Sequence, residues 1–192
     1  MRSSGTRLRR APWLHVSPLV ETSAARLWSF RRYSASCGLL LLPAIVWNVA
    51  FASFLPPAFQ PAEFWRNIPN VLAFSENTLR VAVFVLPFCM PLRLNTQRER
   101  TGILVFAAGS VLYFASWLAL IAFPASSWAT SAVGFLAPAY TPIVWLFGLA
   151  LLGGRLFWGH IYRWWVYLVL ALLFDLSHVS HAFIVYSRNY PA

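Results

Sequence analysis

Residues 164–186 read WWVYLVLALLFDLSHVSHAFIVY, an apolar run that only a few polar side chains interrupt. A helix needs about 20 such residues to cross the hydrocarbon core of a bilayer. The run lacks the strict alternation of apolar and polar residues that a half-buried strand shows. The stretch therefore predicts a membrane-spanning α-helix.

Four further apolar stretches precede this run, at 37–55, 70–92, 101–123 and 132–152. The composition agrees with them, because 59% of the residues are hydrophobic and only 10% are charged, whereas soluble proteins carry about 25% charged residues. The sequence thus predicts an all-α integral membrane protein. Residues 37–186 are expected to form one transmembrane domain, a bundle of about five helices.

The 15 basic residues are all arginine, and they are distributed unevenly between the segments that flank the spans. Seven precede the first span, three lie in 93–100 and two lie in 153–163, whereas the alternate segments hold only Arg66 and Arg188. Because cytoplasmic loops carry the excess of positive charge, this pattern predicts a cytoplasmic N-terminus and, after five crossings, an external C-terminus. The absence of lysine suggests a GC-rich bacterial gene, and hence a bacterial cytoplasmic (inner) membrane.

Short segments flank the predicted transmembrane domain on both sides. Residues 1–36 are interpreted as a basic cytoplasmic segment that is partly disordered, with 19–33 as a candidate interfacial helix, and 187–192 as a short external tail. The arginines lie next to the membrane, so we expect them to contact anionic lipid headgroups at the cytoplasmic face. No nucleic-acid partner is expected.

Five ionisable side chains fall inside two of the predicted spans, which is costly unless they face the bundle interior. They are Glu76, Arg80, Asp175, His178 and His181. At 1.5 Å per residue, Arg80 and Asp175 both lie about 15 Å from the outer ends of their spans, while Glu76, His178 and His181 lie about 8–12 Å deep. We therefore expect the second and fifth spans to pack side by side, with Arg80 meeting Asp175 and with Glu76 meeting His178 or His181.

These five residues predict a polar site within the bilayer. Glu76, Asp175, His178 and His181 are the candidate catalytic residues for proton transfer, and Arg80 is the candidate ligand for an anionic group of the substrate. No cofactor or metal is predicted. A metal held by Glu76, His178 and His181 is an alternative, although the two histidines are three residues apart and zincin histidines are four apart.

The fourth span contains Pro138 and Pro142, and each proline removes a backbone N–H and disturbs the preceding turn. A kink is expected there. The freed carbonyl groups, with Tyr140 and Thr141, would lie at about the depth of Glu76 and would extend the polar site.

Aromatic residues fall into two groups. Those at span ends, including Trp65, are interpreted as interfacial anchors. Those within spans, including Trp117 and Trp145, could form the wall of a pocket for a lipid-like or isoprenoid-like small molecule, with Tyr140 as a further substrate-binding residue. In the third span, Ala115 and Ala119 predict a close helix contact.

Three functions remain open at this point. The first is a small intramembrane enzyme or binding protein for a lipid-phase substrate, the second is a proton-coupled or small-solute transport subunit, and the third is an accessory protein whose buried ion pair is structural. The sequence contains no Walker loop, dinucleotide fingerprint, nucleophile elbow or CxxC pair that would specify a reaction. It also leaves the oligomeric state open.

Overall fold

A computed structural model describes residues 36–158 and 162–191. The N-terminal segment predicted over 1–36, with its candidate interfacial helix, lies outside the described residues except for Ser36. Within the described residues the chain forms α-helices joined by short 3₁₀ turns, with no strand. The α-helices are α1 (Leu42–Ala50), α2 (Pro61–Phe64), α3 (Asn70–Val85), α4 (Gln97–Ala122), α5 (Ser127–Thr130), α6 (Ala132–Tyr140), α7 (Pro142–Leu152) and α8 (Trp164–Asn189).

Four helical segments have the length and the apolar composition needed to cross a bilayer. They are Asn70–Cys89, Gln97–Ala122, Ala132–Leu152 and Trp164–Asn189. Large apolar side chains such as Val71, Phe74 and Leu104 are exposed on their outer surfaces, where a lipid environment would solvate them. The all-helical class predicted from the sequence is therefore confirmed, and four of the predicted spans correspond to candidate membrane-spanning helices.

The first predicted span, 37–55, is shorter than expected. Its helical part is Cys37–Ala50, because helical geometry ends at Phe51 and the backbone is extended at Leu55. The extended backbone at Leu55 agrees with the restriction that a proline places on the residue before it, here Pro56. The expected fifth long helix is thus absent from the described residues, and the number of crossings remains a prediction.

The bundle has two ends that differ in their residues. Arg93, Arg98, Arg100, Arg155 and Arg163 lie in the segments at one end, which we call the arginine end. We call the other the opposite end, where the rings of Phe59 and Phe135 stack with centroids 4.4 Å apart.

Residues 36–59 run from the arginine end to the opposite end. The backbone N–H of Cys37 donates to the carbonyl of Met90 at 2.9 Å, next to the loop that carries Arg93. Phe59 packs on Phe135, near the first turn of α6. The chain therefore covers the length of the bundle in this segment, although only part of it is α-helix.

The predicted fourth span is divided into α6 and α7 at Thr141. Pro138 lies inside α6 and Pro142 begins α7. The backbone N–H of Thr141 still donates to the carbonyl of Ala137 at 3.0 Å, so the chain continues without a loop. The predicted kink at these two prolines remains a prediction.

Helices α4 and α7 approach each other at glycines. A Cβ atom built on Gly109 would lie 2.4 Å from the backbone nitrogen of Trp145, and one on Gly148 would lie 2.4 Å from that of Phe106. Only glycine permits this backbone approach. The prediction of a close contact at Ala115 is wrong, because Ala115 is exposed and the contact face of α4 carries the glycines instead.

Helices α3 and α8 pack side by side, as the matched depths of their ionisable residues predict. The hydroxyl of Tyr167 on α8 donates to the carbonyl of Val83 on α3 at 3.0 Å, and both residues are buried. This contact fixes the two helices near the arginine end. The ionisable residues lie on the same pair of helices, farther toward the opposite end.

Candidate functional site

Glu76 on α3 is the centre of a cluster of ionisable side chains. Its side chain is 0% exposed, and it lies one helical turn before Arg80 on the same face of α3. The guanidinium Nη2 of Arg80 donates to Oε1 of Glu76. Because the Arg80 side chain is 36% exposed, the pair is buried at the carboxylate and open at the guanidinium.

Two histidines of α8 bind the same carboxylate. Nδ1 of His178 lies 2.9 Å from Oε1 of Glu76, and Nδ1 of His181 lies 2.6 Å from Oε2. His181 is 0% exposed, whereas the His178 side chain is 21% exposed. Both oxygens of Glu76 are therefore hydrogen bonded, and the predicted contact between Glu76 and these histidines is present.

The hydrogen bonds determine where the protons of His181 are. Its Nε2 lies 2.9 Å from the backbone carbonyl of Phe64, and a carbonyl oxygen only accepts, so Nε2 carries a hydrogen. The contact between Nδ1 and Glu76 then holds one proton, either on the imidazole or on the carboxyl group. In both cases Glu76 and His181 together are neutral, and Arg80 leaves the cluster with one net positive charge when His178 is neutral.

The same reasoning orients His178. Oε1 of Glu76 accepts from Arg80, and it accepts from Nδ1–H of His178 wherever the proton shared with His181 lies. Neutral His178 then has its lone pair on Nε2. This nitrogen is the one that a ligand could reach, since Nδ1 is occupied by Glu76.

Aromatic rings enclose the cluster on two sides. The ring of Phe64 packs on His181 with centroids 4.2 Å apart, and Trp65 contacts the same imidazole edge-on at 4.6 Å. The Arg80 guanidinium lies 5.6 Å from the ring centroid of Trp65 and 5.9 Å from that of Phe174. These contacts cover the His181 imidazole and place the guanidinium within cation–π range of two rings.

A cavity of about 430 Å³ lies beside the cluster, and Arg80 and His178 form part of its wall. Glu76 and His181 do not line it. Most of the wall is aromatic or aliphatic. The aromatic lining residues are Trp47, Phe51, Phe59, Phe64, Phe84, Tyr113, Trp117, Trp145 and Phe174.

A few polar groups complete the cavity wall. The hydroxyl of Tyr113 on α4 donates to the side-chain oxygen of Asn48 on α1 at 2.7 Å. The indole nitrogen of Trp145 is buried and has no hydrogen-bond partner within the described residues. A buried donor of this kind is destabilising unless an acceptor reaches it.

Four of the five predicted ionisable residues come together, but Asp175 does not join them. The predicted ion pair between Arg80 and Asp175 is wrong, because the guanidinium binds Glu76 one turn away on its own helix. Asp175 Oδ1 is buried without a hydrogen-bond partner in the described part of the chain. His181 lies six residues after Asp175 on α8. This spacing separates the two side chains by about 120° around the helix axis, so they lie on different faces of α8.

The predicted substrate-binding residues have two outcomes. Trp117 and Trp145 line the cavity together with Arg80. Tyr140 does not line it, and its hydroxyl donates instead to the carbonyl of Val133 at 3.2 Å, one residue into α6. Pro138 and Pro142 do line the cavity, so the divided fourth span reaches the site through its prolines.

Sequence reasoning missed the contribution of residues 64 and 65. The sequence pattern identifies Trp65 only as an interfacial anchor, and this interpretation is incomplete because the ring also packs on His181 and faces Arg80. The carbonyl of Phe64 belongs to the end of a four-residue helix that no periodicity marks. The sequence signal for this contribution is that two aromatic residues, Phe64 and Trp65, lie close to the start of the second span.

The arrangement does not resemble a metal site. Each Nδ1 atom points directly at a carboxylate oxygen at hydrogen-bond distance, so no space is left between these three side chains for an ion. Within residues 36–158 and 162–191, no group of three histidine, cysteine or acidic side chains is arranged to hold a metal.

Comparisons with known proteins return nothing, since no protein-family model matches the chain and neither a curated protein nor a solved structure is significantly similar to it. The function must therefore be argued from the site itself.

Proposed function

We propose that the protein crosses the membrane five times, with residues 36–59 as the first crossing. This segment connects the arginine end to the opposite end, as Cys37 and Phe59 show by their contacts with Met90 and Phe135. The five arginines of the arginine end, against Arg66 and Arg188 at the opposite end, support a cytoplasmic location for the arginine end. The seven arginines before residue 33 also favour a cytoplasmic side for the start of the chain, in agreement with this orientation. The membrane that we propose is the inner membrane.

We infer that the cavity beside Glu76 binds a lipid-phase substrate and that His178 transfers a proton to or from it. The observation that carries this proposal is the cavity of about 430 Å³, apolar over most of its wall and bounded by Arg80 and His178. Its volume falls in the range typical of small-molecule sites. A lipid or an isoprenoid-like compound has the matching chemistry, an apolar body with one polar end.

The polar end of the substrate would face the positive side of the cavity. The cluster carries one net positive charge with His178 neutral, and Arg80 brings that charge to the cavity wall. An anionic headgroup therefore fits beside Arg80. The buried indole N–H of Trp145 would supply a further donor to an oxygen of the substrate.

His178 is suited to act as the acid–base group. Glu76 accepts from its Nδ1–H, which fixes the tautomer and leaves the lone pair of Nε2 free to take a proton from the substrate. The imidazolium that forms is stabilised by the neighbouring carboxylate and returns the proton in the reverse step. The described residues that line the cavity include no serine, threonine or cysteine, and this favours acid–base chemistry over a covalent intermediate on such a side chain.

Access to the cavity from the bilayer is available at α1. Val49 lines the cavity and is 75% exposed, and Ile45 one turn earlier is also both lining and exposed. No residue of α1 is fully buried. A ligand dissolved in the membrane can therefore enter beside this helix without passing through water.

The first test occupies the cavity. Ala139 is buried in α6 and lines the cavity, so Ala139→Phe would place a ring in it, whereas Val133→Phe places the same ring on the exposed face of the same helix. Lipids that co-purify with each protein would be identified by mass spectrometry. We expect one compound to be depleted by Ala139→Phe and retained by Val133→Phe, and equal retention in both would contradict the proposed site.

The second test addresses proton transfer. Purified protein in proteoliposomes would be incubated with a total lipid extract of the source organism, and new lipid species would be sought by mass spectrometry. His178→Asn should abolish the product, and Ser177→Ala should retain it, because the Ser177 hydroxyl only bonds the carbonyl of Leu173 in its own helix. Equal product from the wild type and from His178→Asn would exclude His178 as the acid–base group.

A structural role for the cluster is the second candidate. It is favoured by the complete hydrogen bonding of Glu76, which links α3 to α8 through both carboxylate oxygens. If the cluster is only structural, His178→Asn changes stability alone. Lipid retention and product formation then do not depend on the cavity.

A further inference from the structure

A second cavity, of about 300 Å³, lies at the arginine end of the bundle. We call it the arginine-end cavity. Arg93 and Arg98 reach it from the loop before α4 and from the first turn of α4, and Arg155 reaches it from the segment after α7. Three arginines from two separate parts of the sequence therefore line one space.

The positive charge of this cavity is only partly compensated within the described residues. Arg93, Arg98 and Arg155 form no salt bridge there. Among the described residues, the only acid that lines the cavity is Glu99, and its Oε2 accepts the backbone N–H groups of Asn95 and Thr96 at 2.8 and 2.9 Å. One carboxylate, already bonded to the backbone, thus faces three positive charges.

The opposite end of the bundle uses its arginines differently. Arg66 forms a salt bridge with Glu63 at 2.7 Å, and Arg188 donates to the backbone carbonyls of Glu63 and Arg66. Both arginines there bind groups of the protein itself. Arginines that line a common space without salt bridges to the described residues are therefore a feature of the arginine-end cavity. The arginines of the opposite end do not share this feature.

The backbone makes room for one of the three guanidinium groups. A Cβ atom built on Gly154 would lie 2.5 Å from Nη2 of Arg98, so only glycine at this position leaves the guanidinium where it is. The capping box between Thr96 and Glu99 holds the first turn of α4, on which Arg98 lies. Arg98 is thus positioned by two local features.

We propose that the arginine-end cavity binds a phosphate group through Arg93, Arg98 and Arg155. Guanidinium groups bind phosphate oxygens in pairs, and phosphate is the anion that membranes present at the ends of a transmembrane bundle. A phospholipid headgroup and a water-soluble phosphate ester share this chemistry. The proposal is independent of the proposed function, because the two cavities share none of their described lining residues.

The test measures anionic lipid binding by native mass spectrometry of the protein released from nanodiscs that contain phosphatidylcholine with a titrated fraction of phosphatidic acid. We expect Arg98→Gln to weaken the apparent affinity about tenfold, because a charge-assisted hydrogen bond to the phosphate is lost in addition to a surface charge. Gly154→Ala should weaken it in the same direction without any change of charge, because the new methyl group displaces the Arg98 guanidinium. Arg100→Gln is the matched control, since Arg100 is exposed like Arg98 but donates to the carbonyl of Leu94 and does not line the cavity.

A second arm distinguishes the two sources of phosphate. Inorganic phosphate or glycerol 3-phosphate would be added to protein in phosphatidylcholine nanodiscs, and binding would be followed by the same method. Tight retention of phosphatidic acid alone assigns a lipid headgroup, and retention of the soluble phosphates assigns a soluble ester. The proposal is overturned if Arg98→Gln and Arg100→Gln weaken phosphatidic acid binding equally, or if Gly154→Ala has no effect in either arm.

Discussion

The two central helix pairs of the bundle are joined by different means. Helices α4 and α7 approach at Gly109 and Gly148, where a single added methyl group would meet backbone atoms. Helices α3 and α8 are joined by polar groups, namely the bonds of Glu76 to two histidines and the bond of Tyr167 to a backbone carbonyl. In lipid, helices gain little from burying apolar surface, so association relies on close packing or on hydrogen bonds, and this protein uses one for each pair.

The difference between the pairs has a functional consequence. A close backbone contact leaves no space between α4 and α7, and it carries no chemistry. The polar contact between α3 and α8 keeps His178 and Arg80 beside a cavity, where they can meet a ligand. The polar contact between α3 and α8 therefore supplies the ionisable side chains of the candidate site.

The largest effect is expected at the polar pair. Glu76→Gln keeps the shape of the side chain but removes the charge, so Arg80 loses its anion and His181 loses a charged partner in a buried position. We expect the free energy of unfolding to fall by about 3–5 kcal/mol. It would be measured by denaturation with sodium dodecyl sulfate in mixed micelles.

Asp175→Asn is the control for this variant. It removes an acid from α8, but Asp175 forms no ion pair and its Oδ1 has no partner within the described residues. We expect a change below about 1 kcal/mol, or a small gain in stability, because a poorly solvated charge is removed. If Asp175→Asn lowered the free energy of unfolding more than Glu76→Gln does, Asp175 and not Glu76 would be the partner of Arg80.

The glycine pair should be the next most sensitive. Gly148→Ala forces a methyl group against the backbone nitrogen of Phe106, which cannot move as a flexible side chain could. Overpacking of this kind costs about 1–3 kcal/mol. Ala115→Val, which enlarges an exposed residue of α4, should leave the same unfolding measurement unchanged. If the two variants were equally stable, the close contact of α4 with α7 would be wrong.

Much of this arrangement is predictable from the sequence, because a helix has a fixed rise. The depth of each ionisable residue follows from its distance to the end of its span. That argument predicts the side-by-side packing of α3 and α8 and the meeting of Glu76 with His178 or His181, and the structure shows contacts to both. It depends only on the apolar lengths of two stretches, which the printed sequence shows directly.

Depth alone fails where two partners compete. Arg80 and Asp175 have matching depths, yet Glu76 lies one turn from Arg80 on the same helix and takes the guanidinium. The sequence also does not distinguish the roles of the two histidines. His181 differs from His178 because its Nε2 binds the carbonyl of Phe64. That carbonyl belongs to an irregular segment, where no periodic pattern predicts the path of the backbone.

The first span shows a further limit of hydropathy. Residues 37–55 are apolar apart from Asn48 and Ser53, so their composition predicts one continuous helix. The helical geometry nevertheless ends at Phe51, well before Pro56, and shorter turns follow. Composition predicts that a segment can lie in lipid, whereas the end of a helix depends on backbone contacts that hydropathy does not record.

The smallest effect is expected for the polar contact that lies away from the cluster. Tyr167→Phe removes only the hydrogen bond from its hydroxyl to the carbonyl of Val83, and it leaves the buried ring in place. Hydrogen bonds between membrane helices contribute about 0.6 kcal/mol on average, so we expect a loss of that size in the free energy of unfolding. Tyr140→Phe is the matched control, because its hydroxyl bonds within its own helix. A loss from Tyr167→Phe as large as that from Glu76→Gln would mean that α3 and α8 are held at the arginine end and that the cluster contributes little to their association.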